Sequence, residues 1–249
     1  MSNTISHLLL NSIPSQLKGG SAFLIELDRH VLPTHDELIH YLTPSEKKHV
    51  SSIKYVQSYD RVIVSRAVLR ILLGHYLSCS PCSVDITLGT HGKPMLKEAS
   101  LFFNVSHAEN KYIYLLSCDV PVGIDIEYIN SRKHWQEIAR DYFHPDEYNI
   151  FSNDVDCSDL IQQFYRIWVG KEAVMKLSGL GMALPINSFC IDPDKELQKV
   201  YYEFNNEKSY CSLQLINRQD LFACAVATPV NKKINIKHII PITNPKNDS

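Results

Sequence analysis

Residues 160–178 read LIQQFYRIWVGKEAVMKLS. Phe164, Ile167, Trp168, Lys171 and Met175 recur at steps of three and four, which predicts one helix with a mostly apolar stripe toward a core. Glu172 and Lys176 lie four apart and share a neighbouring face. Ser178, Gly179 and Gly181 end the helix, and Pro185 keeps it ended. A carboxylate and two ammonium groups thus fall within about one and a half turns, beside a large indole. That set suits a metal ion and a phosphate chain. It also suits an ordinary solvated helix face, and spacing alone favours the ordinary reading.

Outward from this helix, residues 58–77 predict a second one. Val62, Val68, Leu69, Leu72, Leu73 and Tyr76 give it a wide core face. Arg66 and Arg70 stack on one side, and Arg61 points elsewhere. A solvated basic face is sufficient explanation for Arg70. Residues 34–41 read as helical. Thr43 or Ser45 is the N-cap of a further helix that has Pro44 near its first turn and Lys47 and Lys48 just beyond. Short strands are predicted at 22–27, 85–88, 101–105, 112–118, 122–128, 188–191, 200–204, 210–215 and 222–227. Residues 1 to about 20 read as poorly structured, 154–159 as a polar loop, and the chain from about 230 onward as a tail.

The acidic strand carries more information. Ile124 and Ile126 face one way, Asp125 and Glu127 the other. Two carboxylates on one face are unfavourable unless something positive lies between them. A divalent metal is the simplest answer, and oxygen ligands favour magnesium or manganese. An edge strand with a wet face is the plain alternative. Ser106 and His107 follow a strand, as half of a hydrolase triad would, but no G-x-S-x-G elbow is present. GTHGKP (89–94) is a loop, and a lone G-K-P is a turn with an exposed lysine. FHPDE (143–147) opens a helix with Pro145 near its first position, and helix capping accounts for Asp146.

Taken in order, F-N-V-S-H (103–107), V-G-I-D-I-E (122–127) and W-V-G-K-E-A-V-M-K (168–176) resemble the 4′-phosphopantetheinyl transferases. The likeness is to the long single-chain type that activates peptide and polyketide synthetases, the surfactin-synthetase-activating type. It runs from about residue 42 to 227, with G-K-P (92–94) as a further match. The resemblance implies an α+β fold of two similar halves, each a small sheet on a long helix. Residues 1–120 would form the half that contacts the coenzyme A nucleotide. Residues 121–249 would carry the metal site and catalytic helix, with the junction near Val120-Pro121 and the ligand between the halves.

The same resemblance implies attack of a carrier-protein serine on the β-phosphate of coenzyme A. The products would be the phosphopantetheinylated acyl or peptidyl carrier and adenosine 3′,5′-bisphosphate. Asp125, Glu127 and Glu172 would hold the metal, magnesium or else manganese. Lys47 (or Lys48) would face coenzyme A phosphates, Arg61 and Arg66 the 3′-phosphate. An arginine fork suits a dianionic phosphate better than lysine does. Lys93 would reach a phosphate while the backbone at Pro94 passes the adenine, and Ser106 and His107 would contact phosphate. Lys171 or Lys176 would neutralise the pyrophosphate, and Glu172 or Glu147 would accept the serine proton, directly or through water. Ala108 stands where most of the family has a serine, and Val169 where most has a serine or threonine.

Bulk properties set the frame. The chain has 249 residues, 45% of them hydrophobic, enough for a real core. No apolar run approaches a membrane span, and no leader is read at the N-terminus, so the expected location is the cytoplasm. The net charge of −2 conceals a basic stretch over 47–97 followed by an acidic one over 119–159. That order suits a phosphate-rich ligand that needs a divalent metal. No nucleic-acid-binding pattern accompanies the basic stretch. Seven cysteines are scattered, and the single CxxC, Cys79 to Cys82, reads as a turn with reduced thiols. The two-half plan implies a monomer. Two other functions fit the charged residues. A metal-dependent nucleotide phosphohydrolase would consume coenzyme A without a carrier. A non-catalytic coenzyme A or carrier-binding module would tolerate a degraded acidic set, and Asp125, Glu127 and Glu172 are all intact.

Overall fold

The computed structural model describes residues 9–98, 101–131, 134–152 and 157–239. Its first strands are β1 (Ser21–Asp28), β2 (Ile86–Leu88), β3 (Pro94–Leu96), β4 (Phe102–Ala108) and β5 (Lys111–Ser117). They are followed by β6 (Gly123–Tyr128), β7 (Leu197–Phe204), β8 (Glu207–Ile216), β9 (Phe222–Pro229) and β10 (Asn235–Ile239). The helices are α1 (His35–Leu38), α2 (Pro44–Ser51), α3 (Val56–Tyr76), α4 (Trp135–Tyr142), α5 (Pro145–Tyr148) and α6 (Cys157–Ser178). One four-stranded sheet has the order β10-β1-β5-β4, the other β6-β9-β8-β7, and β2-β3 is a separate hairpin.

Period-two alternation gives each sheet two apolar faces. Ile25 and Leu27 of β1, with Tyr112, Tyr114 and Leu116 of β5, pack on Ile63, Ala67, Ile71 and other core residues of α3. Leu213, Leu215, Ala223, Ala225 and Ala227 pack on Phe164, Ile167, Ala173 and Val174 of α6. The remaining faces meet each other. Ala22, Leu24, Ile113 and Leu115 oppose Val122, Ile124, Ile126, Cys224 and Val226. The layers therefore run helix, sheet, sheet, helix: an α+β fold of two similar halves. Each fully buried Leu, Ile or Val contributes about 1.5–3 kcal/mol. Among the described residues no helix is long and apolar enough to cross a membrane.

The halves are joined along the edge strands β4 and β6. Asn104 Oδ1 accepts from the Ile124 backbone N–H at 2.8 Å and carries hydrogen bonding across the gap between the sheets. At the far side a buried ion cluster ties β1 to the second half. Arg218 donates both its terminal nitrogens to the Glu26 carboxylate at 2.8 and 2.9 Å. His238 of β10 and Lys111 of β5 approach the same carboxylate at 3.2 and 3.4 Å. Burial alone would raise the Glu26 pKa. The guanidinium, with His238 and Lys111, reverses that and holds it well below the usual carboxylate range.

Several sequence expectations change. The region expected as a tail contains β10, which pairs parallel with β1, Ser21 opposite Asn235. The second half of the chain therefore supplies an edge strand to the first half's sheet. Leu9 and Ile13, expected in a poorly structured lead, are buried in the α3 core; residues 1–8 lie outside the described ones. The predicted strand 188–191 is instead a 3-10 turn at Ile186–Ser188 followed by irregular chain. The helix expected over 34–41 is α1 plus a 3-10 turn at Ile39–Tyr41. The predicted polar loop 154–159 lies mostly outside the described residues, and Asp159 belongs to the first turn of α6. Thr43 does cap α2, in a reciprocal box with Glu46. Arg70 is not on a solvated face. It is 3% exposed and donates to Glu46 Oε2 at 2.7 Å and to the carbonyls of Pro81 and Val84.

Two outcomes test this architecture. A Cβ on Gly123 would lie 2.1 Å from the Ala173 carbonyl oxygen and 2.5 Å from the Leu177 nitrogen of α6. Gly123→Ala should destabilise the chain by about 1–3 kcal/mol or more in urea unfolding, since backbone cannot rotate aside. The depressed pKa of Glu26 contributes stability that is fully present above the unfolded carboxyl pKa of about 4.3 and is lost as pH falls below it. Glu26→Gln should therefore show a shallower loss of stability than the parent as pH falls below about 4.3.

Candidate active site

Strand β6 leaves the half-junction with Gly123, Asp125 and Glu127 on one face. Helix α6 crosses that face so closely that only glycine fits at 123. Asp125 lies two residues on, and Glu172 and Lys176 flank the Ala173 contact on the helix. Asp125 is 4% exposed. Its Oδ1 accepts from Lys176 Nζ at 2.6 Å and from Ser106 Oγ of β4 at 2.7 Å. Lys176 Nζ also donates to Ser106 Oγ at 3.0 Å, closing a triangle across the two halves. Asp125 Oδ2 is buried without a hydrogen-bond partner.

Glu172 is half-buried on the same side of the helix. Burial raises its pKa, the charge of Asp125 adds to that, and Lys176 opposes it. Two carboxylates that repel each other, one with an orphaned buried oxygen, offer the kind of oxygen donors that a hard divalent cation takes. The residues present fit a metal bound by Asp125 and Glu172. Glu127, on the same β6 face, lines an adjoining cavity of about 310 Å³ with Arg61, His107 and Asn130. His107 packs edge-on against Tyr112 at 5.7 Å between ring centres. The protein around it pushes its pKa down, and Arg61 and Lys176 add to the shift. Ser106 is turned away from this cavity and is occupied by Asp125.

Other expected residues lie elsewhere. Arg66, with Thr43, Ser45, Asp85 and Pro94, lines a larger cavity of about 560 Å³, and Glu46 lies 3.7 Å from its guanidinium. Lys47 is half-buried on α2 and lines neither cavity. Lys93 does not project as a free cation from its turn. Its Nζ donates to the carbonyls of Val122 at 3.0 Å and Leu177 at 3.3 Å, tying the hairpin to the end of α6. Burial lowers its pKa to about 8.

Lys171 and Glu147 are the two expected site residues that the structure withdraws into the core. They are 0% and 2% exposed and pair at 2.9 Å. Lys171 also donates to the carbonyls of Ile186 at 2.8 Å and Phe189 at 2.6 Å. Glu147 accepts from the backbone of Ile191 at 2.7 Å and of His144 at 2.9 Å. Phe143 and Phe189 rings flank the ammonium. Burial raises the Glu147 pKa and lowers that of Lys171, and each partner opposes the other's shift. With every polar atom satisfied internally, this pair anchors α6. Sequence reading also overlooked Asn104 and Gly123. Gly123 is marked only by its place beside the acidic alternation.

Residues 121–227 match the family described as the 4′-phosphopantetheinyl transferase superfamily. The Synechocystis sp. protein slr0495, whose name places it in that transferase class, is 30% identical over 183 residues, 72% of each chain. The 4′-phosphopantetheinyl transferase gsp of Aneurinibacillus migulanus is 30% identical over 185 residues, 74% of this chain and 73% of that one. The 4′-phosphopantetheinyl transferase Sfp of Bacillus subtilis is 23% identical over 193 residues, 76% of this chain and 84% of that one. With its two-half fold and acidic seam, this chain belongs to the 4′-phosphopantetheinyl transferase superfamily.

The buried pair is open to test. Lys171→Met leaves Glu147 as an uncompensated buried acid and should lower unfolding free energy by about 3–5 kcal/mol. The double variant Lys171→Met/Glu147→Gln should recover part of that loss, measured as a coupling in a urea double-mutant cycle. Additive losses would remove the pair from its structural role.

Proposed function

We propose that this chain transfers the 4′-phosphopantetheine group of coenzyme A to a serine of an apo acyl or peptidyl carrier protein. The serine oxygen bonds to the β-phosphorus, the bond to the bridging oxygen breaks, and adenosine 3′,5′-bisphosphate leaves with the electron pair. The observation that carries this reading is the Asp125–Ser106–Lys176 triangle with Glu172 beside it. It joins the two halves at a partly open surface and combines acidic metal donors with a lysine.

Asp125, Glu127 and Glu172 are the proposed metal ligands. A magnesium ion there, or manganese in its place, would supply charge neutralisation to the pyrophosphate. Lys176, whose side chain is 28% exposed, is the proposed source of further positive charge for the departing oxygen. Glu172 is the proton acceptor that remains once Glu147 is committed to the core, and its raised pKa favours that role. Arg61 and His107 lie beside Glu127 and are the proposed phosphate contacts. Arg66 and the backbone at Pro94 line the larger cavity, whose volume suits a nucleotide. Ser106 orients Asp125. Lys47 and Lys93 are the further proposed phosphate contacts. The unit of action in this reading is a cytoplasmic monomer, because one chain contains both halves of the site.

Intact-protein mass spectrometry of an apo carrier domain tests the proposal. Incubation with the chain, coenzyme A and magnesium should add one phosphopantetheine, and a chelator should prevent it. Glu172→Gln should lower the transfer rate by about 100-fold or more while the fold is kept. Undiminished transfer by that variant would reject the site. Coenzyme A breakdown without carrier labelling would replace the transferase with a phosphohydrolase.

A further inference from the structure

The outer side of the buried Lys171–Glu147 pair carries three donors of different kinds. His144 precedes α5, Asp146 lies in its first turn, and Cys190 belongs to the irregular chain after α6. One ligand atom from each lies within 4.8 Å of the others. We propose that His144, Asp146 and Cys190 form a second divalent-cation site, of zinc class, that staples α5 to the segment 189–191. It is chemically unlike the seam between Asp125 and Glu172. That set is all oxygen and suits a hard ion, whereas nitrogen, oxygen and sulfur together suit a borderline-soft one.

Geometry allows it. Zinc bonds of about 2.0–2.3 Å place neighbouring tetrahedral donors roughly 3.3–3.8 Å apart. The three atoms need only small side-chain rotations to reach that spacing. Asp146 is 79% and His144 31% exposed at the side chain, and Cys190 is exposed, so those rotations meet little resistance. His144 Nδ1 accepts from the Asp146 N–H at 3.2 Å and lies 3.5 Å from Asp146 Oδ2. A bound ion replaces that one long cap bond. On binding, a metal–sulfur bond replaces S–H and the proton passes to solvent. Three protein donors leave a fourth position for water.

The position gives such an ion a lever on the catalytic helix. His144 N–H donates to Glu147 Oε2, Ile191 N–H donates to Glu147 Oε1, and the Phe189 carbonyl accepts from Lys171. Apart from Ile186, the residues that clamp the buried pair are thus one of the ligands, His144, or chain neighbours of Cys190. An ion joining His144 to Cys190 closes that clamp from outside and resists its opening.

The test uses the full chain, with magnesium present throughout to occupy the oxygen site. Zinc is titrated against the thermal midpoint, and cobalt against the thiolate-to-cobalt charge-transfer absorption. Zinc should raise the midpoint of the parent, and cobalt should produce the band. Cys190→Ser, an exposed change, should abolish the band and weaken zinc by at least about 100-fold, more than loss of an outer hydrogen-bond partner does. His144→Asn, which keeps a helix-capping side chain, should weaken both responses. Cys79→Ser/Cys82→Ser should leave both intact. Absence of either response in the parent overturns the proposal. So does a full response in Cys190→Ser, or its loss in the Cys79/Cys82 variant instead. None of these readings depends on transfer to a carrier.

Discussion

Helix α6 rests on strand β6 with no side chain between them at Gly123, and a methyl group there would overlap the helix backbone. The neighbouring strand is thinned in the same way. Ala223, Ala225 and Ala227 are the residues it presents to the helix. This close approach brings Glu172 and Lys176 over Asp125, because they sit one residue before and three after Ala173, whose carbonyl touches Gly123. A larger residue at 123 would lift the helix and separate the charges. The packing constraint and the chemistry thus share one residue with no side chain at all.

Once Asp125 is buried, it needs partners, and it finds them in both halves. Ser106 comes from the first half's edge strand and Lys176 from the second half's helix. Two residues before Ser106, Asn104 holds the β6 backbone directly. The four residues N-V-S-H therefore divide their labour by strand alternation. Asn104 and Ser106 face the seam, Val105 packs toward the α3 core, and His107 meets the cavity beside Glu127. Helix α6 carries two lysines with opposite fates. Lys171 is sealed among carbonyls, rings and Glu147, where removal from water is compensated only by complete hydrogen bonding. Lys176 has a side chain that is 28% exposed and so is not sealed from solvent.

The long periodic segments were legible from sequence. The α6 stripe, the α3 core face, the Thr43 cap and the Asp125/Glu127 alternation all depend on local spacing. Lys171 shows how two kinds of reading can conflict. Its spacing put it on the core stripe with Phe164 and Met175, while the motif suggested a ligand contact, and its burial agrees with the spacing. Glu147 could not be read as its partner, because nothing local announces an ion pair 24 residues apart through the core. Arg70 was misread for the same reason: its partners are Glu46 and two carbonyls brought by tertiary folding. The segment 188–191 looked like a strand by composition, but its backbone groups serve Lys171 and Glu147 instead of a ladder. Strand β10 was missed because its five residues hold only two apolar side chains, Ile236 and Ile239, one on each face.

That last strand fixes an order of events during synthesis. His238 meets Glu26 across 212 residues of sequence, and β10 lies parallel along β1. The first sheet lacks an edge strand until residue 239 has emerged from the ribosome, although most of its strands were made long before. The sheet formed by β6 to β9 draws all its strands from a later, contiguous stretch and faces no such delay. Meanwhile the outer edge of β1 stands with unpaired backbone groups, open to pairing with a neighbouring nascent chain. The half that was translated first is the half that is finished last.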